Sequence, residues 1–173
     1  IQGRLMRCPS EHLQWPFFAA EHRELAQALE RHSADLLAAH QHPSERAAVD
    51  ARCRQLVREL GKAGLTRYCV RASDGGALPE FDARAICLVR ESLAFADGLA
   101  DFAFAMQGLG SGAISLAGSP ELRRRYLPRV AQGTALAAFA LSEPQAGSDV
   151  AAMQLQARLD GDAYVLDGEK TWI

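Results

Sequence analysis

Near residue 134 the hydrophobic period of this 173-residue chain changes. Before that point Ala, Leu, Arg and Glu recur at helical spacing; after it, short segments alternate apolar and polar residues and break at Asp-Gly turns. A repeat of about 3.6 residues lays apolar side chains along one helix face, whereas strict alternation puts them on one face of a strand. The fold class expected is therefore mainly α. An N-terminal helical bundle domain covers residues 1–134, and the beginning of a β-barrel or sandwich domain covers 135–173. The length is sufficient to bury a real core.

Five helices are predicted. The first runs from Phe18 to His40, with Leu25, Leu29, Leu36 and Leu37 on one face. Ser44, after Pro43, caps a second that runs to about Gly61 and turns Val49, Cys53, Leu56, Val57 and Leu60 inward. A loop over Gly64 to Pro79 turns at Asp74-Gly75-Gly76. The third helix spans Pro79 to Ala96. The fourth, Leu99 to Leu116, is so poor in charge that the interior of the bundle is its expected place. Ser119-Pro120-Glu121 supplies a capping hydroxyl, a first-turn proline and a carboxylate for the positive helix end, so a fifth helix begins there and ends or kinks at Pro128. Ala135 to Ala140 reads as a buried strand. Two alternating segments follow, with turns at Asp160-Gly161 and Asp167-Gly168, and Lys170 to Ile173 begins a last strand.

The stretch Leu141-Ser142-Glu143-Pro144-Gln145-Ala146-Gly147-Ser148-Asp149 carries the chemistry. Pro144 sets φ and has no N–H, while Gly147 permits positive φ and close approach of a partner. Ser142, Ser148 and Asp149 add short polar groups. A strand ending in such a ring of donors and acceptors can hold a flat polar heterocycle by its edge; a plain strand-to-loop corner has the same composition.

Phe139 to Asp149 closely resembles the flavin-binding signature of the acyl-CoA dehydrogenases. Gly161 to Ile173 resembles the hairpin that follows it in that family. Gly118 to Pro128 is similar to the segment leading into the β domain, and Leu60 to Gly76 loosely resembles a family loop in which Arg71 stands where proline is usual. The resemblance implies a flavoenzyme that oxidises an acyl-CoA thioester to its trans-2-enoyl form, with the β hydrogen leaving as hydride to flavin N5. FAD is the implied cofactor, contacted by Phe139, Ala140, Leu141, Ser142, Gly147, Trp172 and Ile173; Ser148 would touch the CoA portion. Ser142 replaces the usual threonine and keeps the hydroxyl. The catalytic carboxylate is expected beyond Ile173, in a C-terminal helical domain absent from this sequence, so no catalytic residue is assigned and Glu143 is read as bracing the turn. Electron-transfer flavoprotein as acceptor, a dimer or tetramer, and a cytoplasmic or mitochondrial-matrix location are further implications. An oxidase or monooxygenase on the same scaffold, or a binding module without catalysis, keeps the same motifs.

The formal net charge of -2 argues against a nucleic-acid partner. No apolar run approaches the roughly 20 residues that span a bilayer. Cys8, Cys53, Cys69 and Cys87 lack C-x-x-C spacing, and His12, His22, His32, His40 and His42 lack metal-ligand spacing, so neither a metal nor a disulfide framework is expected. Gly108-Leu109-Gly110-Ser111-Gly112 has no strand before it and no lysine after it, which removes the phosphate-loop reading and leaves close helix packing. Arg123-Arg124-Arg125 reads as a solvated helix face, and Trp15-Pro16-Phe17-Phe18 as an aromatic anchor in the core.

Overall fold

The computed structural model describes residues 10–38 and 43–173, the side chains of 32–38 excepted. The expectations for Leu36, Leu37, His32, His40, His42 and Cys8 lie outside the described residues. Contacts divide the chain into two units, Ile1–Ala137 and Ala138–Ile173.

The first unit contains α1 (Ala20–Ala38), α2 (Arg46–Lys62), α3 (Ala83–Ala96), α4 (Gly98–Ala117) and α5 (Pro120–Ala131). Each contributes apolar side chains to one core: Leu29 from α1, Leu56 and Leu60 from α2, Val89 and Leu93 from α3, Phe104 from α4 and Leu127 from α5. Each of these is at most 2% exposed, and full burial of such a side chain stabilises the fold by roughly 1.5–3 kcal/mol. The segment between α2 and α3 is less loop-like than expected. It forms two 3-10 turns, Leu65–Cys69 and Ala72–Asp74, because Leu65, Cys69 and Val70 reach into the same core. Arg71, in place of the usual proline, donates to Ser115 O at 2.6 Å and lies over the Phe81 ring, so it ties this segment to the end of α4.

Capping decides several boundaries. The third helix starts at Ala83, later than Pro79, because Asp82 is the residue whose carboxylate accepts the Arg84 N–H. Asp97 accepts from the N–H groups of Leu99 and Ala100 and so separates α3 from α4. Ser119 caps α5 as anticipated. Ser44 does not cap α2; the cap position belongs to Glu45, whose side chain makes no cap bond. Pro128 neither ends nor replaces the last turn of α5. The helix continues to Ala131, and Gln132 N–H donates to Pro128 O.

Two expectations about burial need correction. Helix α4 is not enclosed on all sides: Phe102, Leu109 and Leu116, seven residues apart, are 57%, 51% and 78% exposed. Low charge reported the absence of solvating groups, not the presence of neighbours. Trp15 and Phe17 are likewise exposed, and only Phe18 of that aromatic group packs on the core. Arg123 is not merely solvated, since it pairs with Asp74 at 2.5 Å.

Residues 135–140 are not a buried strand. Ala135 and Ala137 pack on the helical core, but Leu136 and Phe139 are exposed and no described segment pairs with this stretch. A strand exists by its ladder, and here the Ala137 N–H is taken instead by the buried Gln107 side chain at 2.9 Å. Lys170 to Ile173 also lacks a ladder. The hairpin itself is present: β1 (Gln156–Asp160) pairs antiparallel with β2 (Ala163–Asp167). Its loop is Gly161-Asp162, with positive φ at Gly161, so Asp160 belongs to the strand and the turn lies one residue later than Asp160-Gly161. Positive φ at the first central residue alone is the type II′ pattern.

Candidate functional site

The second unit is organised by one turn. Glu143 and Ala146 exchange both backbone hydrogen bonds, 3.0 and 3.1 Å, around Pro144-Gln145. Pro144, with φ preset and no N–H, suits the second position of such a turn. The Glu143 side chain points inward and is 4% exposed. Its carboxylate accepts four hydrogen bonds: Gln154 N–H (2.6 Å), Gln145 Nε2 (2.7 Å), Lys170 Nζ (2.8 Å) and Leu155 N–H (3.1 Å). The Gln154 N–H, then the Lys170 ammonium, pull its pKa down to about 2. A carboxylate so occupied is a poor proton acceptor, and its place is that of a brace.

Lys170 extends the brace. Its ammonium also donates to Leu141 O at 2.9 Å, and the next residue, Thr171, donates its N–H to Ser142 O at 2.9 Å. Three segments far apart in sequence, 141–146, 153–155 and 170–171, are thereby joined. The carbonyl oxygens of Leu141 and Ser142 are both filled. Among the described residues, no partner meets the N–H of Leu141, the N–H of Ser142 or the Ser142 hydroxyl, although both residues are half-buried. The result is an edge whose two backbone carbonyls are engaged while its two backbone N–H groups are open, with a hydroxyl that can donate beside them.

Trp172 follows this edge with φ +58°, an unusual value for a bulky residue, and its side chain is 94% exposed. Left-handed backbone at such a residue costs about 1–3 kcal/mol and tends to cluster at binding sites. Ile173 and Phe139, 76% and 42% exposed, leave further apolar surface uncovered, and Ala140 is exposed as well.

Gly147 and Ser148 are exposed just past the turn, with no hydrogen bond to Leu141, Ser142 or Trp172 among the described residues. Gly147 does not have the positive φ that its type permits, and a Cβ built there meets nothing within 4 Å. Neither backbone conformation nor crowding within the described residues therefore requires glycine at 147. Asp149 caps the 3-10 turn Val150–Ala152 by accepting the Ala151 N–H at 3.2 Å. Lys170 was the residue that sequence reasoning passed over. It lies 27 residues from Glu143, beyond the reach of any local spacing rule.

Residues 19–134 match the family model for the acyl-CoA dehydrogenase N-terminal domain, and residues 138–173 match the acyl-CoA dehydrogenase middle domain. The chain belongs to the acyl-CoA dehydrogenase family. It is 36% identical over 156 residues to a probable acyl-CoA dehydrogenase, fadE25, of Mycobacterium leprae, covering 88% of this chain and 38% of that protein. Over 121 residues it is 33% identical to a mitochondrial isobutyryl-CoA dehydrogenase of Dictyostelium discoideum, covering 69% of this chain and 28% of that protein. Its fold is similar to the crystal structure of a Bacillus anthracis acyl-CoA dehydrogenase complexed with FAD, with a TM-score of 0.70, 34% identity, and coverage of 90% of this chain and 27% of that one. The chain thus spans less than half the length of the relatives it matches.

Proposed function

We propose that this chain supplies flavin and substrate contacts of an FAD-dependent acyl-CoA dehydrogenase that converts an acyl-CoA thioester to its trans-2-enoyl form. The observation that carries this reading is the donor edge: the N–H groups of Leu141 and Ser142 and the Ser142 hydroxyl are open, while both adjoining carbonyls are occupied. The pyrimidine edge of a flavin is rich in acceptor oxygens and nitrogens, so an edge of donors with its own acceptors filled fits it. Bound FAD would supply the two-electron acceptor. Donors held in place would favour added negative charge on the ring, by the same electrostatic logic as an oxyanion hole.

The protein's own residues then have distinct tasks. Leu141 and Ser142 orient the ring edge. Phe139, Ala140, Trp172 and Ile173 offer apolar surface to its flat faces. Gly147 leaves room for approach, and Ser148 binds the CoA portion. Glu143 is committed to its four hydrogen bonds and braces the turn; by resemblance to the family, the base that removes the α proton is proposed to be a carboxylate of a C-terminal helical domain that follows the helical (1–134) and β (135–173) parts. Electron-transfer flavoprotein is the proposed acceptor, and a dimer or tetramer in the cytoplasm or mitochondrial matrix the proposed assembly and place.

The test is a visible spectrum of the full-length protein that carries this segment together with the proposed base, taken anaerobically before and after a panel of acyl-CoA thioesters. Bleaching of oxidised flavin by one of them supports the reading and identifies the preferred acyl group. A yellow protein that no thioester reduces would refute the substrate class, and a colourless one would refute the cofactor.

A further inference from the structure

We infer that Lys170 is a positioning residue that holds the Leu141–Ser142 edge, polarises the Ser142 N–H and thereby tunes the affinity and reduction potential of the flavin. This rests on the flavin site proposed above. Three observations carry it. First, the Lys170 ammonium donates to Leu141 O, and that carbonyl belongs to the same amide as the Ser142 N–H. A charged donor on the oxygen draws density from the amide and strengthens its N–H as a donor, as in any chain of polarised hydrogen bonds.

Second, the ammonium is held rather than free. Glu143 Oε1 lies 2.8 Å from it, Met153 Sδ 3.6 Å, and the side chain is 21% exposed. Glu143 is in turn pinned by the backbone of residues 154 and 155, next to β1, so the lysine is referenced to the hairpin and not to a mobile loop. Third, Thr171 N–H donates to Ser142 O, so the lysine and its neighbour together engage both backbone carbonyls while the two backbone N–H groups stay open. A carbonyl released beside a flavin oxygen would present lone pair to lone pair. Because the ion pair has no net charge, Lys170 acts through geometry and amide polarisation rather than through a long-range field.

The test uses the full chain with FAD. Lys170→Met releases Leu141 O and leaves the Glu143 carboxylate without its cation. Its FAD dissociation constant, read by flavin fluorescence, should rise about tenfold or more, equivalent to about 1.4 kcal/mol. Its bound flavin should become harder to reduce in spectroelectrochemical titration. Lys170→Arg keeps the cation and should hold the dissociation constant within about threefold of wild type and bring the potential back toward it, since guanidinium and ammonium share the charge but not the geometry. Wild-type affinity and potential in Lys170→Met would overturn the inference. So would a weakened affinity with an unchanged potential, which marks a brace and nothing more. If Lys170→Met does not fold, Lys170→Gln, a neutral donor, decides by the same potential measurement. Wild-type protein that binds no FAD would instead refute the flavin reading, and the two failures are separately recognisable.

Discussion

Gly133 turns the chain out of α5 toward the functional motif, and substitution by alanine tests whether the close approach there is required. Its φ is +66°, and an added Cβ would lie 2.4 Å from Val57 O and 2.8 Å from Gly61 Cα. Both neighbours are backbone, so neither can rotate away. Gly64 is the control: its φ is +77°, yet a Cβ there meets nothing within 4 Å. Gly64→Ala therefore carries the left-handed penalty alone, about 1 kcal/mol. Gly133→Ala carries the same penalty plus the displacement of α2 from the end of α5, which places it at about 3 kcal/mol or more, the range of overpacked cores. Denaturant unfolding followed by far-UV circular dichroism compares the two. Equal losses would refute the argument that α2 and the turn after α5 touch backbone to backbone.

Four shorter tests address the site and its surroundings. The lowered pKa of Glu143 means that its folded state binds a proton less readily than the unfolded chain, so its stabilisation is present above about pH 4.5 and is lost as pH falls toward about 2. Denaturant unfolding across that window should show stability falling as pH drops, and Glu143→Gln should flatten the change. Ser142→Ala should weaken FAD binding by roughly 1–3 kcal/mol if the hydroxyl is a buried partner of the ring; unchanged binding removes Ser142 from the site. Gly147→Val should leave thermal stability as it is, because space and φ are ordinary there, while FAD or acyl-CoA affinity drops by about tenfold through blocked approach. Burial pushes the Cys69 thiol up to about 12, so alkylation below pH 9 should modify exposed Cys87 well before Cys69, as mass spectrometry of peptides would read.

The helices could be read directly because their signals are local. Leu56, Val57 and Leu60 announce a face, and Ser119-Pro120-Glu121 announces a start, all within one or two turns of chain. Misreadings arose where a cue had a competitor, whether a neighbouring residue or a distant one. Ser44 looked like a cap one residue before the true cap position, and Pro79 looked like a helix start although Asp82 had the carboxylate to hold the Arg84 N–H. Apolar Ala135 to Ala140 looked like a buried strand, but burial and pairing are properties of neighbours, and the Gln107 amide oxygen took an N–H, that of Ala137, that a ladder could have used. For the proposed site, the residue types around Ser142 were legible as a polar corner. That its acceptors are filled and its donors open was not.

The sequence alone determined the α-to-β order, the hairpin and the residue types at the motif, because period, turn chemistry and capping act over a few residues. Tertiary structure decided which hydrogen-bonding groups stay free. Lys170 and Glu143 meet across 27 residues only when the hairpin folds back, and their meeting turns a polar corner into an edge of donors. No local rule could have stated that, since it depends on which distant segment packs against each carbonyl.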